Sequence, residues 1–144
     1  MFQMFPEIAL ILHSLIYFYT KQQIYAYRVT CIILIVVFGV FAKAVLKNAK
    51  SVLSGYVLFR PKGAFGCNGN CKVNCEHEVG MPSIHSMIAG YFSAIYKNPI
   101  FLIFALSRLG KKENPYFYHS ISGCHTIPQI CIGYVLGFTF GLIT

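Results

Sequence analysis

Two histidines in this chain stand where apolar helices should begin. One belongs to Gly80-Met81-Pro82-Ser83-Ile84-His85-Ser86; the other follows Cys124 and opens His125-Thr126-Ile127-Pro128-Gln129. A neutral imidazole can attack phosphorus, and a second, protonated one can give its proton to the departing oxygen. Arginine holds phosphate oxygens in a bidentate fork, and lysine acts on them as a point charge. Arg60, Arg108 and several lysines lie in or beside the polar stretches near the two histidines. Helix N-termini add backbone N–H groups that favour anions. Ser83, Ile84 and His85 occupy such a first turn. The set suits phosphoryl transfer, which needs cations on the equatorial oxygens, a nucleophile in line and an acid for the leaving group.

The elements that must hold these groups are apolar. The chain of 144 residues is 56% hydrophobic and 11% charged, with mean hydropathy +0.61. A soluble domain carries about 25% charged residues. The composition therefore reads as a membrane protein, and the length as one domain over 1–144 with its motif-bearing core at about 43–141. Lys and Arg number 12 against 4 Asp and Glu, a net charge of +8. In a soluble protein that excess would point to nucleic acid. Here the basic residues separate apolar runs, so the expected partners are phosphate headgroups and membrane lipids, with no nucleic acid. Trp is absent, and Tyr17, Tyr19, Tyr25 and Tyr27 supply an interfacial belt. The first apolar run lacks a basic leader and a small-residue cleavage site, so it reads as a retained span.

A membrane helix needs roughly 20 mostly apolar residues. Ile8–Tyr19 gives a short first helix, Lys21–Arg28 a polar turn, and Val29–Leu46 the clearest span. Ser51–Phe59 is apolar enough to dip into the interface, inside a stretch from Lys47 to Gly80 too long for a plain connection. Pro82 is expected in the first turn of a helix to Tyr96, where its missing N–H costs nothing. Pro99–Leu109 is a short apolar helix and Gly110–Gly123 a polar loop. Thr126–Thr144 is the last span. Gly133, Gly137 and Gly141 form a small-residue stripe that lets a neighbouring helix come close. The expected fold is an all-α integral membrane bundle of about five transmembrane helices. Alternating its turns puts both histidine motifs on one face.

With those residues in place, Arg60-Pro61, Gly80-Met81-Pro82-Ser83-Ile84-His85-Ser86 and His125-Thr126-Ile127-Pro128-Gln129 resemble the three-part signature of the type 2 phosphatidic acid phosphatase superfamily, which also contains the vanadium haloperoxidases. The family pattern is a lysine, six residues, Arg-Pro; then Pro-Ser-Gly-His; then Ser-Arg, five residues, His, three residues, Asp. The Gly-Met-Pro-Ser-x-His-Ser wording and the Gln ending look closest to the dolichyl-diphosphatase branch. The resemblance covers about Lys47 to Gly137. It implies a membrane phosphatase acting on a lipid phosphate or diphosphate through a phosphohistidine. A dolichyl or polyprenyl diphosphate is the first choice and phosphatidic acid the second. By motif position His125 is the nucleophile, His85 the general acid and Gln129 the residue that orients the His125 ring. Lys47, Arg60, Ser83 and Arg108 hold phosphate oxygens. No metal and no cofactor is implied.

The chain departs from the pattern in three places. Six residues before Arg60-Pro61 stands Leu53, so Lys47 takes the lysine's part through an insertion, with Lys43 and Lys50 as alternatives. The third-motif spacing lands on His119, whereas Ser107-Arg108 fits with an insertion through Ser122. Ile84 replaces a small residue and is expected to crowd the phosphate pocket. These departures keep two alternatives open. One is a weak or inactive relative that binds phospholipid headgroups. The other is a membrane protein organised around cysteines or zinc at Cys67, Cys71 and Cys75, whose spacing is not a common zinc pattern. Disulfides are preferred for these three and Cys124; Cys31 and Cys131 read as apolar fillers. His13 and His77 belong to no motif and read as structural. Counting basic residues puts the motif face in the cytoplasm. The cysteines and the resemblance put it in the lumen of the endoplasmic reticulum or another internal membrane, which is the reading adopted.

Overall fold

The computed structural model describes residues 5–48, 55–61, 64, 78–109 and 124–144. The elements are α1 (Phe5–Thr20), α2 (Gln23–Asn48), α3 (Gly55–Leu58), α4 (Ile84–Tyr96), α5 (Phe101–Leu106) and α6 (Ile127–Ile143). The described residues form no strand; two isolated bridges join Phe59 to Val79 and Leu109 to His125.

The first reversal is tighter than its polarity suggests. α1 ends where Lys21 turns left-handed at φ 56 and donates its N–H to the Tyr17 carbonyl at 2.7 Å. α2 resumes at Gln23, so most of the expected Lys21–Arg28 turn is helix. Arg28 explains the difference. Its guanidinium lies 5.5 Å from the Tyr25 ring centroid and 5.0 Å from that of Tyr96, and it donates to the Tyr96 hydroxyl at 3.1 Å. The charge is thus housed on the helix by aromatic faces. Tyr96 lies 3.0 Å from Nε2 of the buried His13, whose Nδ1 lies 2.8 Å from the Ala9 carbonyl. A carbonyl only accepts, so Nδ1 carries the proton and Tyr96 donates to Nε2. His13 is thereby a structural clasp between α1 and α4.

α4 is the centre of the molecule. Its Met87, Ile88, Tyr91 and Phe92 are buried, with Cys31, Ile32 and Ile35 of α2 in the same cluster. α6 lies against α4 along the glycine stripe. A Cβ on Gly133 would come to 2.6 Å from the Ser83 carbonyl, one on Gly141 to 2.8 Å from that of Tyr91, and one on Gly137 would collide with that of Met87. From the other side, Gly90 of α4 faces the Tyr134 carbonyl. The helices therefore meet backbone to backbone, as the stripe predicts.

Two expectations near His85 change. Pro82 precedes the helix instead of sitting in its first turn. Ser83 is the N-cap, with extended φ −75 and ψ 111, and its side chain accepts from Ser86 N–H. That bond sets the helix start at Ile84. Ile84 does not spend its bulk among the histidines. It packs on α2 at Gly39, where a Cβ would lie 2.6 Å from Ile84 Cγ1.

α2 has 26 residues, with mean hydropathy 2.7 over its most apolar 18, and is about 39 Å long against a hydrocarbon layer of about 30 Å. Among the described helices it alone is long and apolar enough to cross a membrane by itself. α1 and α6 are apolar but shorter, α4 has 13 residues and α5 has 6. Leu15, Phe41, Val135 and Leu142 are among many large apolar side chains facing outward.

The two glycine contacts differ in what they meet, and so in their cost. Gly137→Ala drives a methyl into backbone and should lower the thermal midpoint in detergent by more than Gly39→Ala, which meets a movable side-chain end. Overpacking of this kind costs roughly 1–3 kcal/mol. Ile84→Ala should cost less in the Gly39→Ala background than alone; additive losses would show that the two do not touch.

Candidate functional site

Three short backbone ties gather the site at one end of the helices. Phe59 and Val79 pair, with Arg60 N–H on the Glu78 carbonyl at 3.1 Å and Gly80 N–H on the Leu58 carbonyl at 2.9 Å. The carbonyl of Arg108 accepts from both Cys124 and His125 N–H, each at 3.1 Å. Ser83 N–H reaches the Gln129 carbonyl at 3.4 Å. Arg60, Arg108, His85 and His125 are thus placed by neighbouring backbone.

Gln129 joins all three segments. α6 opens with a capping box between Thr126 and Gln129, in which Thr126 N–H donates to Gln129 Oε1 at 3.2 Å. Gln129 Nε2 donates to the carbonyls of Val57 at 3.0 Å and Phe59 at 2.6 Å. Those partners fix which end of the amide is oxygen. His125 Nδ1 lies 3.3 Å from that same Oε1. Oxygen only accepts, so Nδ1 bears the proton and Nε2 carries the lone pair. Gly80 makes room for this arrangement, because a Cβ there would collide with Oε1 of Gln129. The glycine of one histidine motif therefore serves the glutamine of the other.

Cations surround the ring. His125 is buried, 2% exposed. Burial holds its pKa well below the usual histidine value, with Arg60, Lys43, Arg108 and His85 adding to the effect in that order. It is a neutral base at neutral pH. Arg60 and Arg108 are buried as well; burial pulls both guanidinium pKa values down, opposed at Arg60 by Glu78. Arginine stays charged under such shifts. Arg60 Nε lies 3.3 Å from the half-exposed Glu78 carboxylate, and its Nη1 donates to the Cys124 carbonyl at 3.3 Å. Arg108 Nη2 lies 3.5 Å from Cys124 Sγ, while its buried Nε has no hydrogen-bond partner among the described residues. Lys43 is within electrostatic reach of Arg60, Glu78 and Arg108. Among the described residues, three cations thus stand around a neutral imidazole with two carboxylates in electrostatic reach, Glu78 of Arg60 and Lys43 and Glu7 of Arg108. A surplus of cation beside a neutral imidazole is the electrostatic setting that suits an oxyanion.

Of the residues expected from sequence, the structure brings together His125, Gln129, Arg60 and Arg108, with His85 near enough to act on His125 electrostatically. Ser83 is fully buried as the α4 cap, accepting from the Ser86 hydroxyl at 3.0 Å, which leaves its own proton to donate. Lys47 is exposed; Lys43, one turn earlier, is the lysine at the site. Glu78 and the role of Gly80 escape a reading of the sequence, and only the Phe59–Val79 bridge reveals why they matter. Cys124 is disulfide-bonded, its partner lying outside the described residues. Cys31 is free and buried, as a filler should be, whereas Cys131 is free and exposed. Lys50, Cys67, Cys71, Cys75, His77 and His119 lie outside the described residues. Among the described residues no three His, Cys, Asp or Glu side chains stand together to hold a metal ion.

Comparison of the chain with protein families, with curated proteins and with solved structures finds no match.

The lowered His125 pKa carries a stability signature. The unfolded chain binds a proton there below about pH 6.5, while the folded protein resists it. The stability contributed is therefore full above that pH and lost as pH falls below it. The expected slope from this one group is up to about 1.4 kcal/mol per pH unit. Thermal unfolding between pH 7.5 and 5 should show a steeper loss for the wild type than for His125→Gln; parallel curves would mean that His125 is not held neutral.

Proposed function

We propose that the chain is a membrane phosphatase of lipid phosphates, working through a phosphohistidine without a metal. The observation that carries the reading is the neutral His125, its lone pair on Nε2, within electrostatic reach of Lys43, Arg60 and Arg108. The cations hold the phosphoryl oxygens and stabilise their charge in the transition state. His125 Nε2 attacks phosphorus, the bond from phosphorus to the leaving oxygen breaks, and His85 protonates that oxygen. Water, deprotonated by His85, then attacks the phosphohistidine, so inorganic phosphate leaves and His125 regains its lone pair. The substrates proposed are dolichyl or polyprenyl diphosphate first and phosphatidic acid second.

The likeness of the three motifs to the type 2 phosphatidic acid phosphatases supports this reading. We place the protein in a membrane as a bundle of about five helices, with α2 as the full crossing and the shorter helices packed beside it. The disulfide at Cys124 favours an oxidising compartment, hence a site facing the lumen of the endoplasmic reticulum or a similar membrane. A second reading, a headgroup binder without turnover, draws on Gln129. Its neutral amide orients the ring but lends no negative charge to a phosphorylated imidazole.

Purified protein in detergent should release phosphate from a lipid phosphate or diphosphate with EDTA present. His125→Ala should abolish release and His85→Ala reduce it by about 10²–10⁴-fold. Absence of release from every lipid by folded wild type would favour the headgroup binder. Gly80→Ala and Gln129→Ala should each cost on the order of 100-fold by misplacing the ring, and the double variant no more than the worse single. Independent, multiplying losses would break the proposed Gly80–Gln129–His125 link.

A further inference from the structure

An apolar hollow opens among the described residues near the cationic end. α2 and α6 both pack on α4 but scarcely touch each other. Between them runs a groove of about 670 Å³, floored by Met87 and walled by Phe38 and Phe41 of α2 and Leu136, Thr139 and Phe140 of α6. Among the described residues Thr139 is its one polar side chain. It runs from Phe41 to Leu34 on α2, roughly 10 Å at 1.5 Å per residue.

Position ties this groove to the site. Phe41 lies two residues before Lys43 and Met87 two residues after His85, so the α2 wall and the floor each end within a turn of a site residue. Ile84, packed into Gly39, closes the gap between α2 and α4 beside that upper end. The outer side is bounded by exposed apolar side chains of α2 and α6, which gives a chain in the bilayer a lateral way in. A ligand spanning both features needs an anionic head at Lys43 and a hydrocarbon tail below it.

We propose that the α2–α6 groove holds a hydrocarbon tail of the lipid whose phosphate meets Lys43, Arg60 and Arg108. This rests on the lipid-phosphate reading above for its head, but it concerns binding and not turnover. Apolar burial supplies affinity in proportion to the area taken from its surroundings, and a preformed groove avoids the cost of opening one.

The chain has no tryptophan, so a single one placed in the groove is a fluorophore without background. Phe38→Trp would report from the groove. Ile8→Trp, exposed on α1, would report from ordinary apolar outer surface away from the groove. Both are made in the His125→Ala background, so that no substrate is consumed, and titrated in micelles with phosphatidic acid carrying brominated chains. Phosphatidylcholine with the same chains is the comparison. In the Phe38→Trp protein we expect saturable quenching by the phosphatidic acid, at a mole fraction about tenfold lower than phosphatidylcholine needs. In the Ile8→Trp protein the two lipids should quench alike. Adding Arg108→Ala to Phe38→Trp should abolish the difference between the lipids. If Phe38→Trp misfolds, Phe41→Trp replaces it. Equal quenching by both lipids at the groove position would overturn the proposal. Selective quenching by a protein whose wild type releases no phosphate would keep the groove and overturn the phosphatase reading instead.

Discussion

Everything at the motif-bearing end follows from positive charge gathered in a place with little water. Lys43, Arg60 and Arg108 all act on His125, with the carboxylates of Glu78 and, at Arg108, Glu7 in electrostatic reach. Taking charges out of water is costly unless each is paired or hydrogen-bonded. The chain meets part of that cost internally: Glu78 and the Cys124 carbonyl hold Arg60, and Cys124 lies against Arg108. The remainder is an excess of cation that an anion would relieve. Burial first, and this cation excess second, keep His125 from taking a proton, so the field that would attract a phosphate also helps to leave the imidazole nucleophilic.

Such a field is useful only if the ring beneath it is fixed. Gln129 fixes it through hydrogen bonds to Val57, Phe59, Thr126 and His125, and Gly80 leaves the room. The support beneath is equally rigid. Glycines let α6 lie backbone to backbone on α4, so the helix starts that carry His85 and His125 keep their spacing. At the far end Arg28, Tyr96 and His13 clasp α1, α2 and α4. The α2–α6 side lacks such close packing, and there the groove opens.

Much of this can be read from the residues. The histidine motifs, the arginines and the glycine stripe announce themselves by type and spacing. The lysine does not. Lys43 and Lys47 lie one turn apart on the same side of α2, and composition cannot tell which is level with His125. The depth of α2 against α4 decides it, and Gly39 sets that depth by receiving Ile84. Gly39 lies one turn before Lys43, on the face that meets α4. Ile84 misleads for the same reason: its neighbour is forty-five residues away in sequence. Pro82 signals a helix start correctly but not its position, because the Ser83 cap outranks it. Helix length is the hardest to judge. Apolar runs announce membrane-compatible helices, but α4 is short and buried among its neighbours instead of long and lipid-facing.

The central claim is that the pocket carries uncompensated positive charge awaiting a phosphoryl oxyanion. Thermal unfolding of the purified protein in rising inorganic phosphate, with sulfate-free salt added to hold ionic strength, tests it most directly. The account predicts a saturable rise in midpoint for the wild type, amounting to about 2.7 kcal/mol at a hundredfold excess over Kd, and none for Arg108→Ala. No rise in the wild type, or the same rise in both proteins, would contradict it.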